Sequence, residues 1–527
     1  MTSPTGVSMT DTTFTYSTED LSIGPLKLER SYNGHAGLYD YFGYNWTHNF
    51  DIWVDSGVYS GSARTKVIVG RKTHSFAGVA TANPAGDGYP NNGDEGRRVE
   101  LKNGGILFTD RDGTEYQFNT TGRGKVATIK SPDGGLLTFN YVSDKPKTII
   151  SNRGYALVFD YDGAGNVSAI CGFNRAYTYV STSTTCASAS LKVSYGYTSG
   201  KLTSVTSVTG AVASYAYNGW GSALSCLTDP GTSTCKYTLE YTPGGVNEVS
   251  KQTLADGSIW TFSCSCTFAR GAATDPYQDD STGWVDPAGV GKSFFLTDGV
   301  ILGYWDEVGR RYETGFYGGD LAGVLFPEGN RWFVNFSARG IVSGNVYRPS
   351  KAGVSGYPDI VLDAKTFPAG DCTNRVTCNQ PLTVADGNGN QTSFTYNTTH
   401  GGVLTETRPA NNAGIQAVVR HAYAQRTPWV LNASSVYVAE SAIWLPSEDR
   451  TCKTGATNVA GNACVNGSSD EVVTTYEYGP DSGPNNLLLR GKAITAEGTT
   501  LRVCYGYDSQ GNKISETNAR AGLASCP

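Results

Sequence analysis

Five histidines, His35, His48, His74, His400 and His421, are all the imidazole that this chain of 527 residues can bring to acid–base or metal chemistry. A general base needs a partner within hydrogen-bond reach. His48 and His74 fall on alternating strand sequence, the chain supplies neither with an evident partner, and packing is their expected role. Asp279-Asp280 sets two carboxylates side by side, the group that glycoside hydrolysis uses in pairs. Adjacent acids in a Ser/Asp/Gly loop are expected to be solvated instead. Gly387-Asn388-Gly389-Asn390-Gln391-Thr392 lacks the third glycine and following helix of a dinucleotide loop and reads as a hairpin turn. The acidic turns Asp110-Arg111-Asp112-Gly113 and Ala385-Asp386-Gly387 lack the distant bidentate acid of a calcium loop. Asn-x-Ser/Thr triplets such as Asn45-Trp46-Thr47 and Asn335-Phe336-Ser337 are expected by chance in an Asn- and Thr-rich strand protein. No catalytic, cofactor-binding or metal residue is assigned, and no cofactor is implied.

Cysteine offers a different chemistry. The 12 cysteines fall into close neighbours: Cys171/Cys186, Cys226/Cys235, Cys264/Cys266, Cys372/Cys378, Cys452/Cys464 and Cys504/Cys526. An even count flanking polar loops reads as disulfides in an oxidising compartment. Cys264-Ser265-Cys266 lacks the C-x-x-C spacing of a zinc site, and so short a ring is an awkward disulfide.

Composition limits what positions these residues. The chain holds 65 Gly, 32 Tyr and only 2 Met, which favours strands and tight turns over helical packing. Net charge is −6 with no basic run, which argues against a nucleic-acid groove. No apolar stretch is long enough to span a membrane, and the N-terminus lacks the basic and apolar regions of a signal peptide. Any export signal is expected outside this chain.

The positioning element is a repeat. Aromatic-x-Tyr pairs recur roughly every 20 residues, each followed by a turn glycine and an apolar residue. They include Phe139/Tyr141, Phe159/Tyr161, Tyr195/Tyr197, Tyr215/Tyr217, Phe394/Tyr396, Tyr476/Tyr478 and Tyr505/Tyr507. Tyr237/Tyr241 and Trp260/Phe262 extend the series, and Gly289, Gly309 and Gly329 keep its interval. Residues two apart on a strand share a face, so each pair sets two rings on one side of a sheet. Asp-Gly and Gly-Asn supply the hairpin turns. The spacing predicts an all-β fold, a continuous ribbon of antiparallel hairpins each stabilised by its neighbours. No amphipathic helix of useful length is expected. Residues 1–98 read as a separate N-terminal β-domain and residues 99–527 as the ribbon. Loop insertions are expected near 269–283, 350–379 and 426–469, and an exposed loop over 79–96.

Tyr161-Asp162-Gly163-Ala164-Gly165-Asn166-Val167 and Tyr507-Asp508-Ser509-Gln510-Gly511-Asn512-Lys513-Ile514 resemble the YD repeat of bacterial RHS (rearrangement hotspot) proteins. Gly200-Lys201-Leu202-Thr203-Ser204-Val205-Thr206 is similar to the second half of that repeat. Residues 24–33 and 43–51 resemble the strands that precede the repeats in such proteins. The resemblance covers nearly the whole chain and implies a β-ribbon spiralling into a hollow shell, often around a toxic C-terminal domain. Family shells end in paired Asp-Pro-x-Gly motifs where self-cleavage occurs. Here Asp286-Pro287-Ala288-Gly289 stands alone in mid-chain, and repeat-like sequence runs to Pro527. A partial shell without self-cleavage is therefore expected, the front part or a truncated relative of such a protein.

The function expected is a non-catalytic scaffold. It would be part of a secreted or surface YD-repeat shell in a bacterium, enclosing or presenting a polypeptide such as a toxin not present in this chain. The alternative is a surface adhesin whose exposed rings stack on glycans. A carbohydrate-active or self-processing enzyme comes third.

Overall fold

A computed structural model describes residues 2–34, 39–59, 62–70, 72–77, 96–219, 223–243, 247–265, 280–297, 300–317, 320–349, 358–370, 372–458 and 462–526. These residues form antiparallel strands and two short 3-10 turns, Gly467–Asp470 and Ala519–Ala521. One sheet takes 35 of the strands. From Arg98–Lys102 onward each strand pairs with the next, as Leu136–Val142 does with Lys145–Ser151. The one skip is Gln416–Arg426, which pairs with Ile443–Cys452 and leaves the hairpin Trp429–Leu431/Tyr437–Ala439 to itself. At the far end, among the described residues, Lys513–Glu516 pairs only with Thr499–Tyr507. The ribbon is open, which agrees with the expected all-β partial shell.

The aromatic-x-Tyr pair has a backbone consequence that its spacing alone does not reveal. A β-bulge falls immediately before the second tyrosine, between Asn140 and Tyr141, Asp160 and Tyr161, Ala216 and Tyr217, and Glu477 and Tyr478. A bulge breaks the ladder locally and leaves a carbonyl short of a donor. The next tyrosine in the series supplies that donor. Tyr141 faces Pro146, and the Tyr161 hydroxyl donates to the Pro146 carbonyl at 2.6 Å. Tyr197 faces Leu202, and Tyr217 donates to Leu202 at 2.7 Å. Tyr478 faces Leu489, and Tyr507 donates to Leu489 at 2.7 Å. The repeat period is thus the distance over which one tyrosine repairs the bulge made by the one before.

The aspartate of the repeat closes the turn. Asp162, Asp286, Asp306, Asp386 and Asp508 each accept, through one carboxylate oxygen, backbone N–H groups two and four residues ahead. The residue three ahead is glycine with positive φ, 91° at Gly165 and 88° at Gly511. That left-handed backbone is what glycine supplies at little steric cost.

The ribbon spirals. Asn379 donates to the Arg111 carbonyl at 3.0 Å, 268 residues away. The Trp444 amide reaches Asp133 at 2.7 Å, and Asn152 donates to the Ser441 hydroxyl at 2.9 Å. Asn174 donates to the Ser509 carbonyl at 2.9 Å, 335 residues away. Successive hairpin tips of the early strands therefore rest against later strands and loops. The later lap runs along the edge of the earlier one, giving a partial shell.

The expected insertions differ from plain loops. Residues 266–279 lie outside the described residues, as does most of the loop expected over 79–96. The segment 350–379 contains a ribbon strand, Ile360–Thr366, and 426–469 contains Ile443–Cys452 with a small hairpin before it. Pairing to a neighbouring strand gives these stretches partners that local Pro, Asn and Cys content does not signal. The strands Ile52–Tyr59, Ser62–Val69 and Lys72–Ala77, expected with the N-terminal domain, belong to the large sheet.

Candidate polypeptide-holding face

Short-period alternation in residues 24–33 sends Leu26, Leu28 and Arg30 to one side of the strand Leu26–Asn33, and all are buried. That strand pairs with Thr15–Ile23 and Trp46–His48 to make a three-stranded sheet. With the segment before it, this sheet lies across one face of the ribbon. Met9, Phe14, Tyr32, Phe42 and Trp46 are at most 1% exposed, and they share one core with Phe159, Tyr195, Tyr215 and Phe262 of the ribbon.

The seat is polar as well as apolar. Trp46 Nε1 donates to the Tyr217 hydroxyl at 2.9 Å, and the Tyr32 hydroxyl accepts from the Leu224 amide at 3.2 Å. Gln252 donates to the Thr5 carbonyl at 3.2 Å and Thr282 to the Met9 carbonyl at 2.7 Å. Thr13 forms a β-bridge with Glu248. With Lys125 paired to Asp51 at 2.8 Å, the segment touches the ribbon from near residue 125 to near residue 282.

At its centre is a buried ion pair. Arg30 Nε donates to Asp20 Oδ2 at 2.8 Å and Nη2 to Oδ1 at 3.1 Å, with the side chains 1% and 4% exposed. Arg30 Nη2 also donates to the Tyr215 hydroxyl at 2.9 Å, and the Tyr195 hydroxyl donates to Asp20 at 2.9 Å. The guanidinium lies 4.2 Å from the Trp46 ring centroid, which adds cation–π attraction. Burial alone would lower the Arg30 pKa, but the Asp20 carboxylate outweighs it and holds the group well above its ordinary value. Burial drives Tyr195 well up and Tyr32 to about 12, so both phenols stay protonated, Tyr195 as a donor to Asp20 and Tyr32 as an acceptor from Leu224.

The same ring-bearing face continues past the seat. Phe294, Tyr304, Tyr312 and Phe326 follow one another at centroid spacings of 5.9, 4.6 and 5.9 Å. Here the rings are only half-buried from Tyr304 onward. On the other face, Phe295 and Trp305 meet at 4.8 Å beneath the Arg311 guanidinium, with Trp305 36% exposed.

The residues weighed for chemistry are spread through this framework. His48 is buried between Phe42 and Phe159, and burial lowers its pKa to about 4. His74 stacks on Phe108 at 5.4 Å and is likewise lowered to about 4, mainly by burial. His400 packs against Tyr423 and Trp444. His421 meets Asp449 across paired strands at 2.7 Å, and Tyr476 donates to the same carboxylate at 2.6 Å. This pair went unnoticed in the sequence because its partners lie on different strands. Asp280 departs from the expected solvated pair: it opens the strand Asp280–Val285 and is 3% exposed, because a ribbon strand begins where composition suggested a loop. Asp279 and His35 lie outside the described residues. Asp386 closes a hairpin turn, as expected. Cys452, Cys464 and Asp470 cluster, but the two sulfurs form a disulfide and are not thiolate ligands. Disulfides also join Cys171–Cys186, Cys226–Cys235, Cys372–Cys378 and Cys504–Cys526; Cys266 lies outside the described residues.

The Arg30–Asp20 pair is not among the residues expected from the sequence. Its signal was present: alternation puts Arg30 on the same side as Leu26 and Leu28, and a charge on an inward face demands a partner.

No family model and no curated relative matches this chain. Among solved structures, it is similar to a TcdB2-TccC3-Cdc42 structure at 9% identity and a TM-score of 0.35, covering 95% of this chain and 27% of that one. A TcdB2-TccC3 structure gives 10% identity and a TM-score of 0.33, covering 92% and 26%. A Tc holotoxin pore of Photorhabdus luminescens gives 10% and 0.34, covering 94% and 27%. The chain spans about a quarter of the length of these structures.

Proposed function

We infer that this chain is a non-catalytic scaffold, a spiral YD-repeat wall whose ring-bearing face holds polypeptide and so encloses or presents a partner such as a toxin. The observation that carries the reading is the seating of residues 2–34 and 41–51 on that face. There the ribbon holds polypeptide through rings, through hydrogen bonds such as Leu224 to Tyr32 and Gln252 to Thr5, and through the Tyr195 and Tyr215 hydroxyls on the buried Arg30–Asp20 pair of the seated sheet. The half-buried continuation from Tyr304 to Phe326 offers the same kind of surface to a further segment. Cystine-closed loops fit an extracellular or surface setting. Among the described residues no helix is long and apolar enough to cross a membrane.

The test is protection. The chain would be co-expressed with the polypeptide encoded directly downstream, purified, and challenged with a nonspecific protease. The scaffold reading expects that polypeptide to resist digestion for as long as the ribbon stays intact. Digestion at the rate of the free polypeptide would overturn it.

A further inference from the structure

The sheet forks at the strand Gly124–Lys130. Its second half pairs with Leu136–Val142, from Thr128 opposite Thr138 to Lys130 opposite Leu136. Its first half pairs with Ile52–Tyr59, Gly124 opposite Val54 and Lys125 opposite Trp53. Two strands take successive halves of one partner, and a cleft of about 800 Å³ lies among all three.

The cleft wall combines rings with cations. Trp53 carries the Arg123 guanidinium 4.8 Å from its centroid. Tyr41 has the Lys125 and Lys145 amines 5.3 and 6.0 Å from its own. Lys125 pairs with Asp51 at 2.8 Å, while Lys145 donates, among the described residues, only to the Gly165 carbonyl at 3.0 Å and lies 5.1 Å from the Tyr161 ring centroid. Neither Arg123 nor Lys145 has a carboxylate partner among the described residues. Asp144 is the other acid of the wall, so three cations face two carboxylates, and Asn119 and Thr120 add amide and hydroxyl groups.

We propose that this cleft binds an acidic saccharide, independently of whether the ribbon encloses a polypeptide. Besides Trp53 and Tyr41, on which the cations sit, the wall has ring surface from Tyr141; such apolar surface suits the C–H face of a pyranose, and the amide and hydroxyl suit its hydroxyl groups. Arg123 and Lys145 suit its carboxylate or sulfate, because guanidinium and ammonium groups bind such anions through charge-assisted hydrogen bonds. An acidic peptide shares the charge but not the need for flat apolar faces beside hydroxyl-binding groups.

Calorimetric titration of the full chain with a glucuronate trisaccharide, a sulfated disaccharide, neutral maltotriose and a tetra-aspartate peptide tests this. Saturable binding of one or both acidic sugars, with maltotriose much weaker, is expected, and the two arms tell carboxylate from sulfate. Arg123→Gln and Lys145→Gln are each expected to weaken binding about tenfold, the worth of one charged hydrogen bond. Lys513→Gln, remote and paired with Glu516, should leave it unchanged. Circular dichroism confirms that each variant is folded. Equal binding of maltotriose, tighter binding of the peptide, displacement by equimolar inorganic sulfate, or indifference to both substitutions would overturn the proposal.

Discussion

The Tyr161 hydroxyl donates to the Pro146 carbonyl at 2.6 Å, and Pro146 is the residue facing Tyr141 across a β-bulge. One repeat's tyrosine therefore satisfies a carbonyl exposed by the bulge at the previous tyrosine. The sheet is stitched along its length by side chains as well as by its ladder.

Removing that hydroxyl should unstitch one position. Tyr161→Phe keeps the ring and strands the carbonyl, at a cost of about 1 kcal/mol. The urea midpoint should fall accordingly, and amide exchange should quicken around residues 139–147. Tyr505→Phe is the comparison, since the Tyr505 hydroxyl has no hydrogen bond among the described residues. Its effect should stay within about 0.5 kcal/mol. Equal losses in the two variants would mean that the stitch contributes nothing of its own.

The Arg30–Asp20 pair makes a sharper case, because both groups are out of water. Among the described residues, Arg30→Leu leaves the buried Asp20 carboxylate with only the Tyr195 hydroxyl, and the expected cost is about 3–5 kcal/mol. The double variant Arg30→Leu/Asp20→Leu removes both charges and should be more stable than either single variant. Chemical denaturation of the four proteins decides the matter. Additive losses would show that the pair is not coupled.

What the sequence disclosed and what it hid follow from where each signal sits. Ring pairs and turn glycines are local, so the hairpin ribbon was readable from Tyr161/Gly165 and Tyr507/Gly511. The bulges were hidden, because a bulge is a relation between two strands and leaves no mark on either alone. The strand Ile360–Thr366 was hidden by its flanks, and Asp280 by its Ser/Asp/Gly context. Arg30 was half visible: its inward register could be read, whereas its partners Tyr195 and Tyr215 lie on strands far along the chain. The fork at Gly124–Lys130, which makes the cleft, depends on a pairing to Trp53 and Val54 that no periodicity predicts.

Histidines whose pKa burial lowers, His48, His74 and His400, give the fold a pH dependence of known sign. His48 titrates near 4 in the folded chain and near 6.5 when unfolded. Between those values the unfolded state binds more protons, so stability is full above pH 6.5 and declines as pH falls toward 4. For the fully buried His48 the loss amounts to about 3 kcal/mol across the window. Burial is the main cause, Asp51 opposes it and Lys125 reinforces it. His74 acts in the same direction. Asp386, held low by the Asn390 amide and turn N–H groups, contributes only at more acid pH. His48→Leu should flatten the decline of the urea midpoint between pH 6.5 and 4. An unchanged slope would place the titrating group elsewhere.

Contact between laps gives the last expectation. Asn174 donates to the Asn485 side chain at 2.7 Å and to the Ser509 carbonyl at 2.9 Å, and it is 7% exposed. Its own Oδ1 accepts from the Ala176 amide at 3.0 Å, which fixes the direction of its donors. Asn174→Ala removes both bonds between laps, whose acceptors on the later one water can reach, and should cost about 1 kcal/mol. Because the two laps are joined at separate points along their edge, the loss should be local, appearing as faster amide exchange over residues 485–512. Asn140→Ala breaks a bond of 2.9 Å to Thr148 within one lap. That variant should leave exchange over 485–512 as it is in the unaltered chain. Should both substitutions speed exchange there equally, the later lap would owe its order to the sheet ladder rather than to its contact with the earlier one.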